Sequence, residues 1–156
     1  MLGNEKVLAQ LNAALASELT AIAQYMAQSE MLSGWGYARL HNHTKARAIE
    51  EMKHAEGLIE RIIFLDGIPA ITVALTPKLG KNVQTQLEID LADELEAVKE
   101  YNENVKICRQ ANDDGTSSLF EAMIKDEERH ADFLEAQLHA IEEMGIEVYL
   151  SKQMQG

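Results

Sequence analysis

The sequence predicts an all-α fold: a four-helix bundle in which two helical hairpins are joined by one long crossover and followed by a short C-terminal helix. Three observations predict it. Apolar residues recur at three- and four-residue steps along four long stretches. The breaks after the first and third stretches are short while the break after the second is long. The chain also repeats itself: Glu51-Met52-Lys53-His54 and Glu127-Glu128-Arg129-His130 each hold a Glu-x-x-His step, and each step is preceded, at one and the same interval, by a further glutamate, Glu18 and Glu94. Glu18, Glu51 and His54 in the first half thus recur with identical spacing as Glu94, Glu127 and His130 in the second. The repeat makes the hairpins pseudo-twofold copies of one another.

Each element has its own signals. Val7, Leu8, Leu11, Leu15, Ile22 and Tyr25 mark the first helix after an N-cap at Asn4, and Gly34-Trp35-Gly36 ends it. The second runs from about Tyr37 to Leu65, with Ala48, Glu51, Ala55, Leu58 and Ile62 on one face, until Asp66-Gly67 stops it. The third carries Leu87, Leu91, Glu94, Val98, Tyr101, Val105 and Cys108 and stops at Asn112-Asp113-Asp114-Gly115. Thr116 or Ser117 is expected to cap the fourth, whose stripe of Phe120, Met123, Glu127, His130, Leu134, Leu138 and Ile141 runs to Gly145. Residues 146–156 form the short last helix. Hairpins over about 4–65 and 82–144 and a crossover over 66–81 then make one domain of residues 1–156. Both prolines, Pro69 and Pro77, fall in the crossover, which can span a bundle in extended form at about 3.3 Å per residue.

Composition narrows the function classes. At 156 residues and 46% hydrophobic content the chain can bury a core without staples, and its one cysteine, Cys108, cannot bridge within the chain. No stretch of about 18 apolar residues and no secretory signal pattern occurs, so the cytoplasm is the expected location and no membrane partner is expected. A net charge of −12 argues against nucleic acid and anionic lipid and for cations.

The chemistry follows from the repeat. Glu51 and His54 share a helix face, as do Glu127 and His130, and Glu18 and Glu94 interrupt apolar stripes, so all six point into the bundle. Four carboxylates converging there repel one another unless cations neutralise them, at a cost of several kcal/mol for each buried ion. Two divalent ions balance four glutamates. Oxygen-rich ligation with one imidazole per ion suits iron or manganese, and iron is taken here. Met52 lies about 100° from Glu51 around its helix and faces outward with Leu19, Ala23, Met26 and Ile49, either as an apolar contact or as a ligand. His41, His43 and His139 fit no ligand pattern and are expected to be solvated, as is Glu142-Glu143.

Glu51-Met52-Lys53-His54-Ala55, Ile59-Glu60-Arg61-Ile62 and Phe64-Leu65-Asp66-Gly67-Ile68-Pro69 resemble the bacterioferritins, haem-containing members of the ferritin family. The resemblance runs from Val7-x-x-x-Leu11-Asn12 to Met144-Gly145. It implies a ferritin-like bundle and a di-iron ferroxidase centre with two irons per subunit, held by Glu18, Glu51, His54, Glu94, Glu127 and His130, with Glu51 and Glu127 bridging. It further implies oxidation of Fe(II) by dioxygen or hydrogen peroxide and storage of the ferric product in a hollow shell of 24 subunits built from dimers. The methionine matching Met52 holds a haem b shared between two subunits, and a small ferredoxin-type reductant is an implied partner. Some members have an inner-wall iron site with a histidine at the position of Ala46 and acids at Glu50 and Asp126, which is incomplete here. Tyr25 is retained, whereas Leu58 and Phe133 stand where other members carry redox-active aromatics. A soluble di-iron oxidase or peroxidase, or a dimanganese catalase, uses the same ligands. A lone cysteine excludes only the rubrerythrin-like version with a cysteine-rich second domain, and metal analysis separates all of these from a metal-free helical interaction module.

Overall fold

Asn4 starts the first helix, because its side-chain oxygen accepts from the backbone N–H of Lys6 at 2.9 Å and of Val7 at 3.3 Å, satisfying donors the helix itself leaves open. The computed structural model describes residues 1–73 and 76–156. Residues 74 and 75 of the expected crossover lie outside the described residues. Five helices form: α1 Glu5–Gly34, α2 Ala38–Phe64, α3 Val83–Gln110, α4 Asp114–Met144 and α5 Ile146–Ser151. α1 packs along α2 and α3 along α4, and no strand occurs among the described residues. The expected hairpins and short last helix are therefore present.

One expectation is corrected. The cap of α4 is Asp113, which accepts from the Thr116 backbone N–H at 2.9 Å, while Thr116 and Ser117 lie inside the helix and are buried. A carboxylate is the stronger acceptor, and this one also takes a hydrogen bond from Arg61 of α2 at 2.8 Å. The cap thus ties the α3–α4 turn to the end of α2.

The crossover runs along α1. Asn12 accepts from the Ala70 backbone N–H at 2.8 Å, and Gln24, three turns further on, accepts from that of Lys78 at 2.9 Å. At its end the chain folds tightly onto the start of α3: a Cβ on Gly80 would stand 2.5 Å from the backbone nitrogen of Gln86, which cannot yield.

Two apolar clusters fill the bundle. One gathers Leu11, Leu15, Leu58, Ile62, Val105 and Phe120, and the other gathers Leu32, Leu40, Val83, Leu87, Leu134 and Tyr149. Along every long helix the buried acids fall between the residues of these two clusters. Each buried Leu or Phe contributes about 1.5–3 kcal/mol, and apolar packing on both sides holds a polar middle layer that is costly by itself.

Candidate metal centre

The middle layer brings all six sequence-predicted residues together. Glu18, Glu51, His54 and Glu127 each offer one ligand atom within 4.8 Å of the others, and so do Glu51, Glu94, Glu127 and His130. Glu51 and Glu127 belong to both sets. Every one of these residues is buried except His54, which is partly so. Both histidines turn Nδ1 inward: that of His54 lies 3.2 Å from Glu51 Oε2 and 3.2 Å from Glu127 Oε1, and that of His130 lies 3.6 Å from Glu51 Oε1. Their Nε2 atoms point the other way, to Asp126 at 2.8 Å and Glu50 at 2.6 Å, each on the opposite hairpin. Carboxylates holding the far nitrogen fix the ring orientation of a ligating histidine.

Tyrosines orient the outer glutamates in the same way. Tyr25 of α1 donates to Glu94 Oε1 at 2.6 Å, and Tyr101 of α3 donates to Glu18 Oε1. The Arg47 guanidinium, buried one turn before Glu51, pairs with Glu94 and lies 3.4 Å from Glu51 Oε1.

These contacts set the charges of the protein's own groups. Burial, then the charge of Glu51, pushes the Glu18 carboxyl well above the usual carboxylate range. Burial and its contact with Glu127 push Glu94 up to about 9, against the pull of Arg47. Burial acts to raise Glu51 too, but the neighbouring Glu18 carboxyl, the hydrogen bond with His54 and the charge of Arg47 prevail and lower it. Burial disfavours a charged His54, yet the carboxylates of Glu127, Glu18 and Glu51 facing its Nδ1 raise it. His130 is lowered by burial and then by Arg47. A neutral His130 that donates from Nε2 to Glu50 keeps its Nδ1 lone pair directed inward.

The donor set fits cations. Among the buried polar atoms without a hydrogen-bond partner are Glu18 Oε2, Glu94 Oε2, Glu127 Oε1 and His130 Nδ1, and all four residues belong to the two ligand sets. Buried acceptors left unpaired are expensive, and metal coordination removes that cost.

Elsewhere the structure divides the expectations. Met52 is 46% exposed, as is Ile49 one turn before it on α2, and Met26 of α1 is exposed as well. Ala46 is exposed, while Glu50 and Asp126 are taken up by the histidines and by Arg129, which lies 3.0 Å from Glu50 and 3.5 Å from Asp126. His139 is exposed as expected. His43 is not solvated: it stacks on Phe133 at 3.7 Å between ring centroids, and burial, then Arg47, lowers its pKa to about 4. His41 is half-buried too, its Nδ1 2.7 Å from the Ser29 carbonyl oxygen. Both sit near the start of α2, where the helix packs back against its neighbours instead of facing water.

Sequence reasoning missed Arg47 and Arg129 and read Tyr101 only as part of an apolar stripe. Signals for two of the three existed. Arg47 precedes Glu51 by one helical turn, and Tyr101 follows Tyr25 at the same interval that relates the two halves of the ligand set.

A family model described as a ferritin-like domain matches residues 8–144. The bacterioferritin of Mycolicibacterium paratuberculosis is 41% identical over 149 residues, covering 96% of this chain and 94% of its own. That of Brucella melitensis is 42% identical with 96% and 92% covered, and that of Rhodobacter capsulatus is 41% identical with 93% and 90% covered. Helical hairpins joined by a long crossover, two ligand sets sharing a pair of glutamates, and this similarity along nearly the whole length lead to one statement: the chain belongs to the bacterioferritins, within the ferritin-like proteins.

Proposed function

We propose that this protein stores iron and that the Glu–His layer is its ferroxidase centre, where Fe(II) is both bound and oxidised. The observation that carries the reading is the pair of ligand sets meeting at Glu51 and Glu127. Glu18 and His54 would hold one ion and Glu94 and His130 the other, with Glu51 and Glu127 available to both. Iron bound there supplies the one-electron step from Fe(II) to Fe(III), with dioxygen or hydrogen peroxide as acceptor. Asp126 and Glu50 hold the imidazoles in orientation, and Tyr101 and Tyr25 hold the outer glutamates. A cavity of about 150 Å³ between α1 and α3, lined by Thr20, Ala21, Asp93, Glu94, Ala97 and Glu100 among others, reaches these ligands, and its acids favour the approach of a cation.

Replacing both His54 and His130 by alanine should abolish the rapid phase of aerobic Fe(II) oxidation. An unchanged rate in that double variant overturns the assignment.

On this reading a closed shell of 24 subunits would keep the ferric product, and Met52 is the residue that would hold a haem b shared between two subunits. The support is an exposed thioether one helical turn from the exposed Ile49. A Met52→Leu variant should keep its helical fold and lose the absorption bands of a bis-methionine haem. Retained bands exclude Met52 as the ligand.

A further inference from the structure

Nearly every group of the centre has a counterpart in the other hairpin at one constant interval along the chain. Glu18 pairs with Glu94, Glu51 with Glu127 and His54 with His130. Tyr25 and Tyr101 form such a pair, each donating to the other hairpin's outer glutamate, and so do Glu50 and Asp126, each holding the other hairpin's histidine. Arg47 breaks the relation. Its counterpart at that interval is Met123, an uncharged side chain buried in the apolar core.

Arg47 is also placed on one side. It is 3% exposed, and Nη2 hydrogen-bonds Glu94 Oε1 while lying 3.0 Å from the Tyr25 hydroxyl and 3.4 Å from Glu51 Oε1. Its guanidinium carbon stands 4.6 Å from the centroid of the Tyr25 ring. Among the described residues its hydrogen bonds go to these three groups, and none goes to Glu18 or His54. Glu94 belongs only to the second set and Glu51 to both, and the guanidinium holds one oxygen of each: Glu94 Oε1, and the Glu51 Oε1 that stands 3.6 Å from His130 Nδ1, while Glu94 Oε2 stays without a partner 3.9 Å from His130 Nδ1. A guanidinium does not lose its proton in a protein, so its charge leaves only if the side chain swings away.

We propose that Arg47 is a built-in cation that makes the two metal positions unequal. The first divalent ion settles among Glu18, Glu51, His54 and Glu127, and the second enters beside Glu94 and His130 against the charge of the guanidinium, which already holds Glu94 Oε1 and lies against Glu51 Oε1. One ion is then held firmly and the other exchanges. The inference rests on the two-ion reading above and adds a residue that sets the order and strength of filling.

The test is a titration of the assembled, chelator-stripped protein with Co(II), a probe that dioxygen does not oxidise under these conditions, followed by calorimetry and by visible absorption at one fixed pH. Wild type should take up two Co(II) per subunit in two resolved steps. Arg47→Met, which restores the pseudo-twofold relation, should tighten the second step by about tenfold or more relative to the first. Arg47→Gln, which keeps a hydrogen-bond donor but not the charge, should do the same and serves if the methionine variant does not fold. Arg47→Lys should keep the steps apart. In His54→Ala the tight step should be lost, and in His130→Ala the weak one. A merely structural role for Arg47 weakens both steps together and leaves their ratio unchanged, which overturns the proposal. Two equal steps in wild type that persist in the variants overturn it as well, while leaving the two-ion centre intact. No Co(II) uptake by any of the proteins removes the centre itself.

Discussion

Tyr101 shows how one hydroxyl conditions the centre. It is buried and donates to Glu18 Oε1, whose partner oxygen has no hydrogen bond in the protein. Removing the donor leaves a buried carboxyl with no partner, a cost of about 1–3 kcal/mol. Tyr101→Phe should therefore lower the unfolding temperature of chelator-treated protein by several degrees in scanning calorimetry. With divalent metal added the deficit should shrink, because coordination satisfies Glu18. An equal deficit with and without metal refutes a link between Tyr101 and the site. Arg47 acts at the same scale by a different route, as a fixed charge that replaces neither a ligand nor a structural cap.

Contacts between elements carry a pH dependence. Gln24 and Gln28 of α1 donate to Asp90 Oδ1 of α3 at 3.2 Å and 3.0 Å, close to where Gln24 also accepts from the crossover at Lys78. Burial outweighs these donors and raises the Asp90 pKa from its ordinary 3.8 to about 7. A carboxyl raised on folding favours the fold while it is protonated in both states, so this contribution is fully present below about 3.8 and is lost as pH rises through about 7. Asp90→Asn keeps the acceptor without the charge. It should stabilise the α1–α3 contact at pH values above 7 by on the order of 2 kcal/mol, with the gain fading toward pH 4. Thermal unfolding of both proteins across that range checks it, and a gain that grows in acid refutes the sign. Asp113 is the opposite case. Burial acts to raise it, but hydrogen bonds from Thr116 and the charge of Arg61 keep it low, so the α4 cap stays ionised.

For the whole molecule, charge and apolar surface oppose each other. The chain carries −12, yet Met26, Ile49, Met52, Ile63 and Phe64 on α1 and α2 are all about half exposed or more. Subunits of like charge associate only where apolar burial exceeds their repulsion. If the proposed shell forms through these residues, a charge placed among them, Met26→Asp, should shift it toward dimers or monomers in analytical ultracentrifugation while leaving the helical circular dichroism unchanged. Wild-type protein that stays monomeric or dimeric at micromolar concentration and physiological salt, and forms no mineral on iron loading, removes the storage reading and favours a soluble di-iron enzyme. No helix of the described residues is long and apolar enough to cross a membrane.

The internal repeat and the helical period by themselves determined the four helices, the long second connection and the convergence of Glu18, Glu51, His54, Glu94, Glu127 and His130. Spacing on a helix fixes the face, and a repeat fixes which faces meet. Asn4 was readable as a cap because side-chain capping is local, whereas at α4 several adjoining residues are good local caps, and Asp113, which also binds the distant Arg61, takes the role. Tertiary structure alone decided the roles of Arg47, Tyr101 and Arg129. In sequence an arginine between two alanines, Ala46 and Ala48, reads as a solvated charge and a tyrosine in an apolar stripe reads as core. Only packing shows that Nη2 of Arg47 reaches Glu94 on another helix, that the Tyr101 hydroxyl ends at Glu18, and that Arg129 lies between Glu50 and Asp126. The periodicity of a helix sets where a side chain starts, and the neighbouring helices set where its polar end stops.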